Sequence, residues 1–451
     1  MKGLSITLLL LLVAVVSSQS YRTNLTLQRG LHRTVPEHIT GSTVSLNGGI
    51  TRLGEYYATI EVDGQPFNVQ IDTGSSMLAI PSDRCSNCVS ASHPSYNTSA
   101  YPMGPCGLPQ CDHTIRYADG TGVDYTLRRR TVTLHTTTVD AYTGLITREI
   151  GRFGNFEVPG ILGVASRMLN PFAVETVMDH ITDTHEHAND TSFRDVFALC
   201  LTPYGGAWDI GYINESRAIS PLSYHDARAY PGFYAIRITH VVLLPSVQSG
   251  VKRVTFETGS IPGVVDSGTT LLVLPYTILA GILAHIYHNR LPGYQDIRHG
   301  GECAILQPSD LQMYPALMLT YSNGGEHTLL LTVTPEMYFI PFQGQMCLGM
   351  AGTADSVIII GDVVLQSFYT VFDRENNRVG FAPVNPENCP GGTQQEIQRE
   401  RTQRIRRLAM EKMAEAWRSL LIPVLTLDPL LGWIVVFVLI ASVLFESTKT
   451  N

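Results

Sequence analysis

Positive charge is in short supply in this 451-residue chain. Its 31 Lys and Arg face 39 Asp and Glu, a net charge of −8. That balance argues against a nucleic-acid role, which needs a basic face. Also missing is a glycine-rich phosphate cradle; the scattered Ser-Gly and Gly-Gly pairs read as turns. No second Cys-x-x-Cys complements Cys85-x-x-Cys88, so the spacing of a four-cysteine zinc site is incomplete. His180, His185 and His187, beside Glu186, lie in a stretch around Asn189 that reads as a polar surface loop rather than a metal site. The sequence implies neither a metal nor a cofactor.

Helical patterns are few, and Tyr276 to His288 is the clearest. Short β-branched runs between Gly and Pro read as strands and turns instead. Examples are Tyr56 to Val62, followed by an Asp63-Gly64 turn, and Arg130 to Leu134. With 44% apolar residues, the chain is long enough for two cores. The expected fold class is mostly β.

One ten-residue phrase occurs twice. Asp72-Thr73-Gly74-Ser75-Ser76-Met77-Leu78-Ala79-Ile80-Pro81 matches Asp266-Ser267-Gly268-Thr269-Thr270-Leu271-Leu272-Val273-Leu274-Pro275. Asp, Gly, Leu and Pro recur in register, and the other positions exchange like for like. An apolar run precedes each copy, Phe67 to Ile71 and Ile261 to Val265. At nearly equal distances downstream stand Ile161-Leu162-Gly163 and Ile359-Ile360-Gly361. Two such copies imply two lobes related by duplication, each contributing one carboxylate at a pseudo-twofold axis.

Two carboxyls held close together cannot both ionise, so one stays protonated while the other stays charged. A water between them then faces an acid and a base at once, an arrangement for attacking a stable carbonyl without a covalent intermediate. Gly74 and Gly268 are expected to give each turn a conformation closed to bulkier residues, bringing backbone donors to the carboxylate. Ser75 and Thr269, three residues beyond each Asp, carry hydroxyls that can hold the carboxylate rotamers.

On these residues the chain resembles the pepsin-type aspartic proteases, from about Gly54 to Pro383. The resemblance implies a bilobal fold with Asp72 and Asp266 as catalytic groups. Thr73, Gly74, Ser75, Ser267, Gly268 and Thr269 would support them. Tyr117, with Gly120 and Thr121, matches the flap hairpin that closes over a peptide. Gly361 to Leu365 and Tyr369 to Ala382 match the closing segment of the second lobe. Two positions depart from the family: Ala79 stands where a tryptophan commonly supports the flap tyrosine, and Ala118-Asp119 follows Tyr117 where many relatives have glycine. The Asp-Gly flap, with cysteines upstream, is more similar to nepenthesin-type and plasmepsin V-like members than to pepsin.

Lys2, the apolar run Leu4 to Val16 and the small residues Ser17 and Ser18 form a secretory signal pattern, 1–20. Eight cysteines in a translocated chain are expected as disulfides. The resemblance implies Cys303–Cys347 and Cys200–Cys389. Cys85, Cys88, Cys106 and Cys111 staple a Ser-, Pro- and Asn-rich insertion, and four cysteines leave three pairings open. Asn24, Asn97, Asn189 and Asn214 begin sequons and are candidate glycosylation sites. Residues 21–53 form a short N-terminal segment in which Arg22, Arg29, His32 and Arg33 are candidates to cover the dyad before activation. The lobes are assigned to 54–220 and 221–390.

Beyond the lobes, 391–419 is charged and helix-prone, a solvated stalk or an amphipathic helix on a bilayer. The apolar run 420–445 is close to the length that spans a bilayer, leaving 446–451 as a cytosolic tail. The basic run Arg399, Arg401, Arg404, Arg406 and Arg407 then lies on the lumenal side, against the positive-inside tendency. Cysteines, sequons and the resembled protease fold all require translocation, so the signal is preferred and a single-pass type I topology is expected, with lumenal or extracellular lobes. The combined expectation is a monomeric, membrane-anchored aspartic endopeptidase acting on peptide and protein substrates of the secretory or endosomal system. An inactive peptide-binding or sorting protein is the alternative, but both aspartates, both glycines and both hydroxyls are present. A glycosidase also uses two carboxylates, though the paired Asp-Thr/Ser-Gly turns disfavour it.

Overall fold

The computed structural model describes residues 41–50, 54–88, 95–102, 104–117, 120–151, 157–170, 172–244, 252–288, 303–321 and 328–390. The expected signal, stalk, membrane span and tail lie outside the described residues, as do Asn24 and the basic residues between Arg22 and Arg33. Among the described residues, no helix is long and apolar enough to cross a membrane.

Strands dominate, as the short β-branched runs imply. Glu55–Val62 buries Tyr56, Ala58, Ile60 and Val62 on one face, the alternation of a strand packed on one side. It turns at Asp63 and Gly64, with φ of 50° and 79°, and returns as Gln65–Asp72. Two consecutive left-handed residues suit the right-handed twist of the strands they join. This hairpin delivers Asp72 to its end.

The repeated phrases become a repeated weave. In the first half, Gln65–Asp72 leads into Asp72 and Leu78–Ser86 leads away. Gly160–Gly163 is inserted between them, parallel to the first and antiparallel to the second. In the second half, Val254–Val265 and Leu272–Pro275 flank Ile358–Ile360 in the same senses. Gly160–Gly163 is buried throughout, and in Ile358–Ile360 both end residues are buried, which accords with their apolar runs.

A sheet common to both halves closes the structure. Val196–Thr202 pairs with Gly205–Ile210 on one side and with Phe368–Asp373 on the other. Phe197 and Phe372 stack across that junction at 4.7 Å, and Tyr234 meets Phe372 edge-on at 4.9 Å. Cys200, on the central strand, is joined to Cys389 beyond the last strand.

Two sequence expectations change. Ser42–Gly49, placed in the 21–53 segment, is a strand of the main body. It pairs with Gly205–Ile210 and with the start of Glu55–Val62, and buries Val44 and Leu46. The alternation of those two residues is short and interrupted by glycines, so it carries little weight until its partners are known. The stretch containing His180, His185 and His187 is a helix, Val177–His187, not a loop. Thr176 and Asp179 form a capping box, and Val177, Met178 and Ile181 face the core. Its outer face is polar enough to hide that stripe. The other long helix, Tyr276–His288, falls where the sequence places it.

Candidate active site

Asp72 and Asp266 lie at the ends of equivalent strands, both buried. Each carboxylate has matching donors. The Gly74 amide donates to Asp72 Oδ1 at 2.7 Å, and the Ser75 hydroxyl to Oδ2. The Gly268 amide donates to Asp266 Oδ1 at 2.8 Å, and the Thr269 hydroxyl to Oδ2 at 2.6 Å. Between the two turns, Thr73 Oγ1 donates to the Val265 carbonyl at 2.8 Å and Ser267 Oγ to the Ile71 carbonyl at 2.7 Å. The same oxygens accept from the opposite amides: Ser267 N to Thr73 Oγ1 at 2.9 Å and Thr73 N to Ser267 Oγ at 3.2 Å. Thr73 and Ser267 therefore lock the two halves face to face, and the carboxyls with them.

The glycines act differently from the sequence expectation. Neither Gly74 nor Gly268 has a left-handed φ. A Cβ on Gly74 would stand 2.5 Å from Asp266 Oδ1, and one on Gly268 would strike Asp72 Oδ1. Each glycine is needed because the opposite carboxylate occupies the side-chain space. Gly268→Ala is thus expected to lower kcat/KM by about 100-fold or more through displacement of Asp72. Activity within tenfold of wild type, in a variant that melts normally, would show that the pair tolerates being pushed apart.

Burial first, and the charge of Asp266 second, push the Asp72 carboxyl up to about 8, against the opposing pull of the Ser75 and Gly74 donors. Asp72 is therefore held protonated through the acid and neutral range. That is the state in which one carboxyl can act as acid and its neighbour as base.

A third carboxyl, not singled out in the sequence as catalytic, stands close by. Asp362 follows Gly361 just as Val164 follows Gly163, so an acid takes the place of an apolar residue in the repeat. It is fully buried, and neither carboxyl oxygen has a hydrogen-bond partner. Burial raises its pKa well above the ordinary value, and Asp266, Glu55 and Asp72 add to the rise. Such a group binds its proton more tightly when folded. Its stabilisation is complete below the unfolded pKa, about 3.9, and is lost as pH rises toward the folded value. Asp362→Asn removes that titration. Its stability is expected to fall less steeply above pH 4, by up to about 1.4 kcal/mol per pH unit. Melting curves from pH 4 to 8 that stay parallel to wild type would contradict this.

Tyr117 follows the strand Asp112–Arg116, which pairs with Gly122–Leu134 as a hairpin. The Tyr117 amide donates to the Thr121 carbonyl at 2.9 Å, and the Gly120 amide to the Tyr117 carbonyl at 3.0 Å. Gly120 has a φ of 84°, a conformation that favours glycine. Ala118 and Asp119 lie outside the described residues. The Tyr117 side chain packs on an apolar cluster of Met77, Ala79, Val123, Tyr125, Leu127, Ile146 and Ile161.

Comparison with known proteins assigns the chain a family. A family model described as eukaryotic aspartyl protease matches residues 55–384. The chain belongs to this family. Aspergillopepsin-1 of Aspergillus fumigatus is 26% identical over 339 residues, covering 73% of this chain and 78% of that protein. Pepsin A of Bos taurus is 26% identical over 343 residues, covering 73% and 84%. Rhizopuspepsin of Rhizopus chinensis is 27% identical over 342 residues, covering 73% and 78%. The chain is accordingly an aspartic endopeptidase, hydrolysing peptide bonds.

In this aspartyl protease the insertion cysteines pair locally, Cys85 with Cys88 and Cys106 with Cys111. Cys303 is joined to Cys347 across neighbouring strands. Asn97 and Asn189 are exposed, while Asn214 is half-buried and its side-chain oxygen accepts from the Ser216 hydroxyl at 2.7 Å. Two of the helix histidines have structural partners. His185 Nδ1 lies 3.0 Å from Asp190 with its ring stacked on Phe193, and His187 Nδ1 lies 2.6 Å from the Asp183 carbonyl. His180 sits 3.8 Å from Glu175.

Proposed function

We propose that this aspartyl protease is a membrane-anchored endopeptidase of the secretory or endosomal system, acting through a water held between Asp72 and Asp266. The reciprocal hydrogen-bond frame around two buried carboxyls carries this reading. The charged carboxyl takes a proton from water as its oxygen bonds the peptide carbonyl carbon. The protonated carboxyl gives its proton to the carbonyl oxygen, and a tetrahedral diol forms. On collapse one diol hydroxyl gives its proton to the charged carboxyl as the carbonyl re-forms and the C–N bond breaks, the protonated carboxyl gives its proton to the departing amine, and the pair is left singly protonated. Tyr117, on its hairpin, closes over the bound peptide. The leader 1–20 and the apolar run 420–445 support translocation and a single-pass anchor. Disulfides at all eight cysteines accord with an oxidising compartment.

The test uses the full chain in detergent with a peptide library from pH 3 to 9. Cleavage is expected to be highest at mildly acid pH and to decline as pH rises toward about 8, where Asp72 gives up the shared proton. A rate still climbing above that pH overturns the mechanism. Truncation after residue 419 is expected to move the protein from carbonate-resistant membranes into the soluble fraction. Retention of the truncated chain in the membrane pellet would overturn the anchor.

A further inference from the structure

We infer that Tyr125 is the positioning residue of the hairpin that carries Tyr117, its ring filling a depression left by two small residues in the underlying sheet. This rests on the reading of Tyr117 as the residue that closes the cleft.

The strand register defines the depression. Ala79 is paired with Gly144 on one side and with Ile161 on the other. Gly144 is paired in turn with Leu127, and Tyr125 with Ile146. Directly paired residues share a face of the sheet, so all of these side chains point the same way. Alanine and glycine at adjacent positions leave that face hollow. A Cβ on Gly144 would stand 2.8 Å from Tyr125 Cδ2 and 3.2 Å from Cγ, so the tyrosine ring lies directly on the glycine. Ala79 is fully buried and Tyr125 is 1% exposed.

The hairpin rests on this filled hollow. Ile115 and Tyr117 pack against the cluster that contains Tyr125, and Phe172 covers it from a neighbouring loop. His113, opposite Tyr125 in the register, lies with its ring 5.8 Å from the tyrosine ring and 4.1 Å from Phe172. Asp112–Arg116 is the edge strand of its sheet. A two-stranded ribbon is marginal without an apolar face to pack on. Removing the ring would take away that face and free the strand that precedes Tyr117.

The hydroxyl shows which property of Tyr125 matters. It is buried without a hydrogen-bond partner, an unfavourable state for a polar group. Burial also pushes it up to about 12, so it stays neutral at any working pH. The ring's volume is thus the feature used, and phenylalanine should serve as well.

The experiment compares Tyr125→Phe, Tyr125→Leu, Tyr125→Ala, Ala79→Trp and the double variant Ala79→Trp/Tyr125→Ala in the full chain. Two quantities are measured well below the melting temperature: kcat/KM on the fastest-cleaved library peptide, and amide exchange across residues 112–126. Y125A is expected to lose about 30- to 100-fold in kcat/KM, mostly in kcat, as Tyr117 is misplaced. Y125F should stay within about threefold of wild type, with Y125L between them. A79W alone overfills the hollow and should lose about tenfold or more, and the double variant should recover most of that loss because one ring replaces the other. Exchange at the hairpin amides should quicken in Y125A and return in the double variant, while Gln65–Asp72 stays protected. The proposal is overturned if Y125A loses less than about threefold, if Y125F falls as far as Y125A, or if the double variant is no better than the weaker single one. An inactive wild type would count against the protease mechanism, and the exchange comparison would still decide the role of Tyr125.

Discussion

Asp72→Asn lowers kcat/KM by an expected factor on the order of 10⁴, the scale of losing a positioned acid–base group. Asparagine keeps the shape of the side chain, and its oxygen can still accept from the Gly74 amide. What it loses is the carboxyl that shares a proton with Asp266. Burial and its partner's charge push Asp72 up to about 8, so the pair holds a shared proton at working pH. Without it, nothing at that position can protonate the carbonyl oxygen as water attacks. Asp266→Asn should be equally damaging, because the two roles are halves of one step and the effects do not add. Both variants should still fold, since Thr73 and Ser267, which join the turns, are untouched. The measurement is kcat/KM at the pH optimum beside the melting temperature. A folded Asp72→Asn enzyme retaining more than a tenth of wild-type activity would exclude the paired-carboxyl mechanism.

Arg217→Ala is expected to be the most destabilising single change away from the dyad. Asp209 is completely buried and receives Arg217 Nε at 2.8 Å and Nη2 at 3.1 Å. The hydroxyls of Thr43 at 2.7 Å, Tyr369 at 3.0 Å and Tyr212 at 3.3 Å also donate to it. Arg217 Nη1 also donates to the Asn388 carbonyl at 2.6 Å, beside the Cys389 that bridges to Cys200. Truncating the arginine would leave a carboxylate in the core with only neutral hydroxyl donors, and would free the end of the last described segment. Removing one partner of a buried pair costs about 3–5 kcal/mol. In a protein of this size that lowers the melting temperature by roughly 5–10 °C. Arg217→Lys should lose less, since it keeps the charge but not the two-pronged geometry. A melting temperature within about 2 °C of wild type for Arg217→Ala would mean that water reaches Asp209 and the pair carries little.

Much of the site could be read from the chain because its chemistry needs specific residue types at specific spacings. An Asp-Thr/Ser-Gly turn after an apolar run, met twice, leaves few other readings. The downstream Ile161-Leu162-Gly163 and Ile359-Ile360-Gly361 were legible as partners because they recur at nearly the same distance from each aspartate. The helix Tyr276–His288 was equally plain in its pattern. Val177–His187 was obscured by its polar outer face, although Thr176 and Asp179 carry the capping signal.

Other features depend on which surfaces meet, and one-dimensional patterns do not contain that information. The glycine at 74 looks like a backbone requirement in sequence, yet it is the opposite carboxylate that excludes a side chain there. Asp362 reads as one acid after the repeated glycine of its own half. Only the folded molecule buries it among Asp266, Glu55 and Asp72 and leaves it unpartnered. Tyr125 is an ordinary strand residue until Ala79 and Gly144 arrive beside it from separate strands. The four insertion cysteines allowed three pairings, and the folded chain joins Cys85 to Cys88 and Cys106 to Cys111. Sequence by itself determined the reaction class, the two aspartates and the duplicated β plan, because covalent chemistry and strand periodicity are local properties. Tertiary structure alone decided the dyad's proton affinity, the reason for its glycines and the support of its hairpin, because these arise from burial and close approach between residues far apart in the chain.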